Sequence, residues 1–244
     1  MGIGSKFGIL AETGNNIQTE GLVFYIDSSI KKSYPRTGTN VFNLASGSLT
    51  PTGSLKNDTG WEGINPTSSF IFDGTDDFIK SNYTGTIPSF SLWFKPNSTV
   101  TTGALGGVLM GFEDGGNYSG IYLGAVTSAI SNELISIWTS DSANKSYYSQ
   151  VGGTINTDWH NLIISHTGTQ YNIYLDSINV WSANYGGNVG IINATRFDIG
   201  TRILSNNVNA PFDGKIANIQ VYNRALSASD VLQNYNAQKD RFGL

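Results

Sequence analysis

Asn209-Ala-Pro-Phe-Asp213-Gly-Lys-Ile-Ala-Asn-Ile-Gln-Val-Tyr222-Asn-Arg-Ala-Leu226 is the stretch whose reading decides the fold. Asp213-Gly214 is a turn dipeptide, and the apolar/polar alternation after it has the period of a strand. That alternation predicts Ile216, Asn218, Gln220 and Tyr222 on one face and Ala217, Ile219 and Val221 on the other. The strand then breaks at Asn223-Arg224. Ser227 follows as an N-cap, with Asp230 placed to return the hydrogen bond of a capping box. A short helix is predicted over 228–241, with Val231, Leu232 and Tyr235 on one face.

Upstream, the same short-strand grammar repeats. Gly21-Leu-Val-Phe-Tyr-Ile-Asp27 is a compact apolar strand closed by Ser28-Ser29, and Phe70-Ile-Phe72 runs into Asp73-Gly74-Thr75-Asp76-Asp77 and out through Phe78-Ile79. In Phe90-Ser-Leu-Trp-Phe-Lys95 the apolar Phe90, Leu92 and Phe94 alternate with Ser91, Trp93 and Lys95. Further strands are predicted at 108–112, 120–125, 134–139 and 146–151. Thr167-Gly168-Thr169-Gln170 joins two more as a hairpin, and Arg196–Gly200 precedes the closing strand. Residues between Thr39 and Pro66 read as loop held by Phe42, Leu44, Leu49 and Trp61. Many short strands with turn signals between them define an all-β, two-sheet antiparallel sandwich with one short C-terminal helix. The chain reads as an arm or peripheral strand over 1–20 and a single domain over 21–244.

Composition narrows the function. The 244 residues are 39% hydrophobic and 12% aromatic, enough to fill the space between two sheets, while charged residues are only 13%. The polar surface is therefore mostly Asn, Ser, Thr and Gly, a neutral hydrogen-bonding surface suited to protein contacts or sugar hydroxyls. A net charge of −4 argues against a nucleic-acid partner, which selects a basic face. There is no cysteine, which excludes disulfides and thiolate metal sites. Neither a signal peptide nor a membrane-spanning run is expected.

Three segments together resemble one family. Gly21–Asp27 with Ser33-Tyr34-Pro35, the Phe70–Ile79 hairpin, and the Phe212–Ser227 strand and cap are similar to the opening, an "FDGxDD" hairpin and the closing motif of laminin-G-like, concanavalin-A-like jelly rolls. The resemblance spans residues 21–238. The opening segment is similar to the version found in structural proteins of tailed phages, marine phages among them. Members of the family include sugar-binding modules, adhesive ectodomains, glycosidases, lyases and virion proteins, so the fold leaves function to the site. The resemblance implies a non-enzymatic virion surface protein, a module on a capsid, tail or fibre. Its partners would be other virion proteins or copies of itself, as in a trimer, and host glycans. The alternative is a soluble lectin-like module, with or without Ca²⁺.

The chemistry-bearing residues agree with a non-catalytic reading. A retaining glycosidase needs two carboxylates about 5 Å apart, and none of Glu12, Glu20, Glu62, Glu113 and Glu133 has an acid two or four residues later. His160 and His166 share a strand face about 20 Å apart, too far to cooperate, with Leu162 and Ile164 between them; each reads as a boundary histidine with a hydrogen-bond partner. No catalytic residue is assigned. Asp73, Asp76 and Asp77 form the best polar cluster: they are candidate Ca²⁺ ligands, or else residues that hydrogen-bond their own turn. Trp181, Tyr185, Tyr118 and Tyr122 are candidate aromatic platforms for a sugar ring, as is the Tyr147-Tyr148 pair, with core packing as the competing role.

Overall fold

The computed structural model describes residues 16–45, 52–63, 67–114, 117–124, 133–140, 145–151, 153–184, 192–204 and 207–244. Two eight-stranded antiparallel sheets lie face to face. The first runs in the order Ile178–Asn184, Gln170–Leu175, His160–His166, Ser89–Pro96, Asp213–Tyr222, Ser69–Asp73, Gly60–Glu62, and Leu22–Asp27 also pairs with Asp213–Tyr222. The second runs Lys145–Val151, Glu133–Ser140, Asn117–Gly124, Leu105–Asp114, Arg196–Ile199, Phe78–Ser81, Gly53–Lys56, Asn40–Val41. The predicted sandwich is the one observed. Three segments expected to be loop, Asn40–Val41, Gly53–Lys56 and Gly60–Glu62, are strands; the first two extend the second sheet and the third extends the first.

The closing strand is the hub of the first sheet. Ser89–Pro96 pairs along one side of it, while Ser69–Asp73 and then Leu22–Asp27 pair along the other. Its faces differ from the simple alternation. Ile216 lies opposite Phe94 and Asn218 opposite Trp93, so Ala217 is the extra residue of a β-bulge. One inserted residue reverses the faces beyond it. Ile216 therefore joins Ile219 and Val221 in the core, while Asn218, Gln220 and Tyr222 face outward.

The core fills the space between the sheets with rings that bridge them. Phe24 meets Phe197 edge-on at 5.0 Å, and Phe90 meets Phe112 at 6.2 Å. Each such side chain contributes about 1.5–3 kcal/mol by leaving water. Phe90, Leu92 and Phe94 point into this core as the alternation required, and Trp93 points out.

A third layer covers the outer face of the first sheet. The helix Ala228–Asn236 starts at the predicted cap, with the Ser227/Asp230 box complete. It stops at Ala237 instead of running to 241, and a 3₁₀ turn over Lys239–Phe242 follows. Its inward face is Val231 and Asn234; Leu232, expected beside Val231, is 51% exposed. Val231 packs on Ile163, Tyr174, Tyr222 and Leu226. Trp93 stacks on Phe242 at 4.2 Å and on Tyr235 at 5.6 Å. Residues 16–20, expected in an arm or peripheral strand, are not in a strand but dock on this layer. Gln18 donates from its backbone N–H to Asn234 Oδ1 and from Nε2 to Asp230 Oδ1. Among the described residues no helix is long and apolar enough to cross a membrane.

Candidate functional site

Among the described residues the outer face of the second sheet carries no helical layer like that on the first, and it concentrates unusual chemistry. Strand alternation sends Phe197 and Ile199 into the core and leaves Arg196 and Asp198 outward; likewise Ile121 and Leu123 point in, and Tyr122 points out. Across the strands, Lys80, Asp198, Gly111, Gly120 and Trp138 stand in one register row. The two glycines in the middle leave a trough between the carboxylate and the indole. A Cβ at Gly111 would lie 2.6 Å from the Arg202 Cα and the Thr201 carbonyl oxygen, and one at Gly120 would lie 2.9 Å from the Tyr122 ring. The trough therefore admits a backbone that no larger residue would.

That backbone belongs to a small hairpin, Arg202–Leu204 paired with Asn207–Asn209. It lays the Arg202 guanidinium over Trp138, 4.0 Å from the ring centroid, and 5.6 Å from that of Tyr122. Arg202 Nη2 also donates to Asn209 Oδ1 at 2.8 Å, which fixes the cation in this cation–π arrangement.

Beside the trough, Arg196 joins two carboxylates from different strands. Asp198 Oδ2 accepts from Arg196 Nε (3.1 Å) and Nη2 (3.0 Å), and Glu113 Oε2 lies 3.5 Å from the same Nη2. Asp198 is 3% exposed, and its Oδ1 accepts no hydrogen bond among the described residues. Burial pushes its carboxyl up to about 6, against the pull of Arg196 and Lys80. A carboxylate perturbed by burial and by a specific charge partner, on a face with an indole and two guanidiniums, has the character of a functional site.

The residues singled out from sequence fall elsewhere or nearby. Tyr122 does belong to this face, but it is 2% exposed and covered by Arg202, so it is not the open platform expected of it. Trp181, half-buried on the edge strand Ile178–Asn184, packs against the main core. Tyr118 stands opposite Glu113 in the Asn117–Gly124 strand, and its side chain, like those of Tyr147 and Tyr148, lies outside the described residues, as does Tyr185 altogether. Asp73, Asp76 and Asp77 do converge, each offering a carboxylate oxygen within 4.8 Å of the others. Both histidines have partners: His160 Nδ1 bonds Asp176 Oδ2 at 2.8 Å, and His166 Nδ1 accepts from the Gly168 N–H at 3.2 Å.

The model of the concanavalin A-like lectin/glucanases superfamily matches residues 73–232, and the chain belongs to that family. The solved structures it resembles share the fold at low identity. Domain 4 of AbnA, a GH43 extracellular arabinanase from Geobacillus stearothermophilus solved with arabinotriose, superposes with a TM-score of 0.63 at 16% identity, covering 89% of this chain and 98% of that one. The binding domain of Paraclostridial Mosquitocidal Protein 1 gives 0.64 at 12% identity, over 89% of this chain and 52% of that one. The receptor-binding domain of botulinum neurotoxin type G gives 0.60 at 11% identity, over 90% and 52%. The chain thus spans about half the length of the toxin structures. A search among curated proteins gave no match.

Proposed function

We propose that the chain is a non-catalytic glycan-binding module whose ligand lies on the outer face of the second sheet. The observation that carries this reading is the row Lys80–Asp198–Gly111–Gly120–Trp138 with Arg202 and Arg196 beside it. Its half-buried members Lys80, Arg196 and Trp138 are the ones a ligand would meet, Trp138 with one face covered by Arg202, while the buried Asp198 and Arg202 hold them in place, on a sheet face with no helix over it among the described residues. The fold's likeness to a domain solved with arabinotriose supports the ligand class. Glu113 and Asp198 are the acids that approach each other here, and a guanidinium occupies the gap between them. A glycosidase needs that gap for the sugar and needs one acid free to donate a proton.

Trp138→Ala is expected to weaken glycan binding by about 30-fold, the scale of a hot-spot aromatic, while the chain stays folded. Arabinotriose and a broad glycan array are the probes, read by calorimetry and fluorescence. Wild-type protein that binds nothing on the array, or binding unchanged by the substitution, would overturn the reading.

The finer setting we propose is the surface of a phage particle, with the module displayed as a symmetric oligomer such as a trimer. Its support is the likeness of Leu22–Asp27 and Ser33–Pro35 to phage structural proteins. Mass spectrometry of purified particles is expected to find the chain at a fixed copy number. Particles without it remove this setting and leave the glycan reading standing.

A further inference from the structure

We propose that residues 238–244 are a strap over a second ligand face, on the outer side of the first sheet, and that this face takes a neutral sugar ring when the strap lifts. It lies on the opposite side of the sandwich from the face of the second sheet and does not depend on that reading.

The C-terminal layer has two unlike halves. Under the helix the contact is apolar: Val231 meets Ile163, Tyr174, Tyr222 and Leu226. Under the 3₁₀ turn the sheet presents a row in one register, Asn161–Trp93–Asn218–Asp27, with Gln220 two residues further along the closing strand. All of these residues are buried. Asp27 holds Arg241 and Trp93 holds Phe242, so Asn218, which stands between Asp27 and Trp93, lies beneath that pair.

The strap does not answer the chemistry of this row. Among the described residues neither Asn218 Oδ1 nor Asn218 Nδ2 has a hydrogen-bond partner, and the same holds for Trp93 Nε1, Gln220 Nε2 and Asn161 Oδ1. On the strap itself Gln238 Oε1 and Arg241 Nε are also unpaired. Each such group costs free energy when it is shut in without a partner. A cover that served packing alone would match the apolar half under Val231.

The strap is held narrowly. Its backbone hydrogen bonds close within itself and the end of the helix. Among the described residues its hydrogen bonds to the rest of the chain are those of Arg241, to Asp27 Oδ2 at 2.7 Å and to the Ser68 carbonyl oxygen at 3.2 Å. Phe242 adds a near-parallel stack on Trp93, 18° between planes at 4.2 Å, and a contact with Trp159 at 4.8 Å. A segment with so few tethers opens locally at less cost than the sheets.

Lifting it uncovers an indole face flanked by two carboxamides and a carboxylate, an aromatic surface with a few fixed polar groups. Phe242 occupies the place that the flat face of a sugar ring would take. The carboxamides both donate to and accept from hydroxyls, and Asp27, released from Arg241, accepts from hydroxyls and repels an anionic sugar. A ligand that binds only the lifted form has its affinity reduced by the lifted fraction, so loosening the strap tightens binding.

The test uses the whole chain carrying Trp138→Ala, which disables the face of the second sheet, with a glycan array and calorimetry as readouts. Arg241→Ala and Phe242→Ala each remove one hold. At a temperature where melting curves show them folded, both are expected to bind a neutral oligosaccharide of the array at least about 10-fold more tightly than the strapped chain. Adding Asn218→Leu is expected to abolish the gain. In the unmutated chain, amide hydrogen exchange over 238–244 is expected to be faster than over Asp213–Tyr222 by local opening. Equal protection of the two segments overturns the strap, and so does a folded variant without gain or a gain that survives Asn218→Leu. The face of the second sheet stands or falls by Trp138 alone, so the two readings fail separately.

Discussion

Asp27→Ala is expected to destabilise the chain by about 3–5 kcal/mol, the cost of leaving one member of a buried ion pair alone. Asp27 ends the opening strand and is 1% exposed, and its oxygens are fully engaged. Oδ1 accepts from the Ser29 N–H (2.9 Å) and hydroxyl (2.7 Å), and Oδ2 accepts from the Tyr25 hydroxyl (3.0 Å) and Arg241 Nη1 (2.7 Å). Arg241 Nη2 also reaches the Ser68 carbonyl at 3.2 Å. The pair thus ties the 3₁₀ turn to the first sheet and holds Phe242 against Trp93. Removing the carboxylate strands the guanidinium and frees that turn. For a chain of this size the melting temperature is expected to fall by about 6–20 °C. Arg241→Ala is expected to cost a similar amount, and the double variant less than the sum, because both substitutions remove one interaction. Additive costs from thermal melts would show that the contact is incidental.

The opening strand illustrates what could be read from residues alone. Leu22–Asp27 was legible as an apolar strand, and so were Phe90–Phe94, the Asp73-Gly74 turn and the Ser227 cap, because each is encoded within a few neighbouring positions. What Asp27 does was not legible, since its partner Arg241 is 214 positions away. The bulge at Ala217 escaped for another reason. A bulge is a choice made by pairing, and the apolar/polar pattern around Ile216 fits either register until Phe94 and Trp93 are seen opposite. Helical spacing alone places Leu232 inward, whereas the outer face of the first sheet offers polar Asn218 and Gln220, and Asn234 turns inward to bond the Tyr222 hydroxyl.

The candidate site shows the same division. Asp73, Asp76 and Asp77 are neighbours in sequence and could be named from it. Trp138, Asp198 and Arg202 come together across strands and a hairpin, and nothing local marks them. One signal was available: Gly111 and Gly120 interrupt otherwise dense strands, and a strand glycine often marks a close approach of another backbone. Here that backbone is Thr201-Arg202.

Phe197→Ala and Arg196→Ala, adjacent on one strand, are expected to destabilise the chain by different physics, distinguishable by pH. Phe197 is fully buried and packs against Phe24, Tyr83 and Phe112 at centroid distances of 5.0, 5.9 and 6.2 Å. Truncating it loses transfer energy and leaves a cavity, a cost of about 3–5 kcal/mol that involves no proton and so stays flat with pH. Arg196 faces the other way, and its loss leaves Asp198 buried without its ion-pair partner. Asp198 already titrates near 6 when folded, above its unfolded range, and without Arg196 it moves higher. Above the folded value the carboxylate is charged and unpaired, and the variant bears the full penalty. As pH falls from there to about 6, the variant's folded form takes up a proton that wild-type Asp198 has not yet bound, so the deficit shrinks, and below about 6 both forms take it up and the gap stays narrow. Urea denaturation of both variants and wild type at pH 7.5 and pH 5 separates the cases. The deficit of Arg196→Ala is expected to narrow on acidification while that of Phe197→Ala holds constant, and two parallel profiles would mean that Asp198 does not depend on Arg196 for its charge.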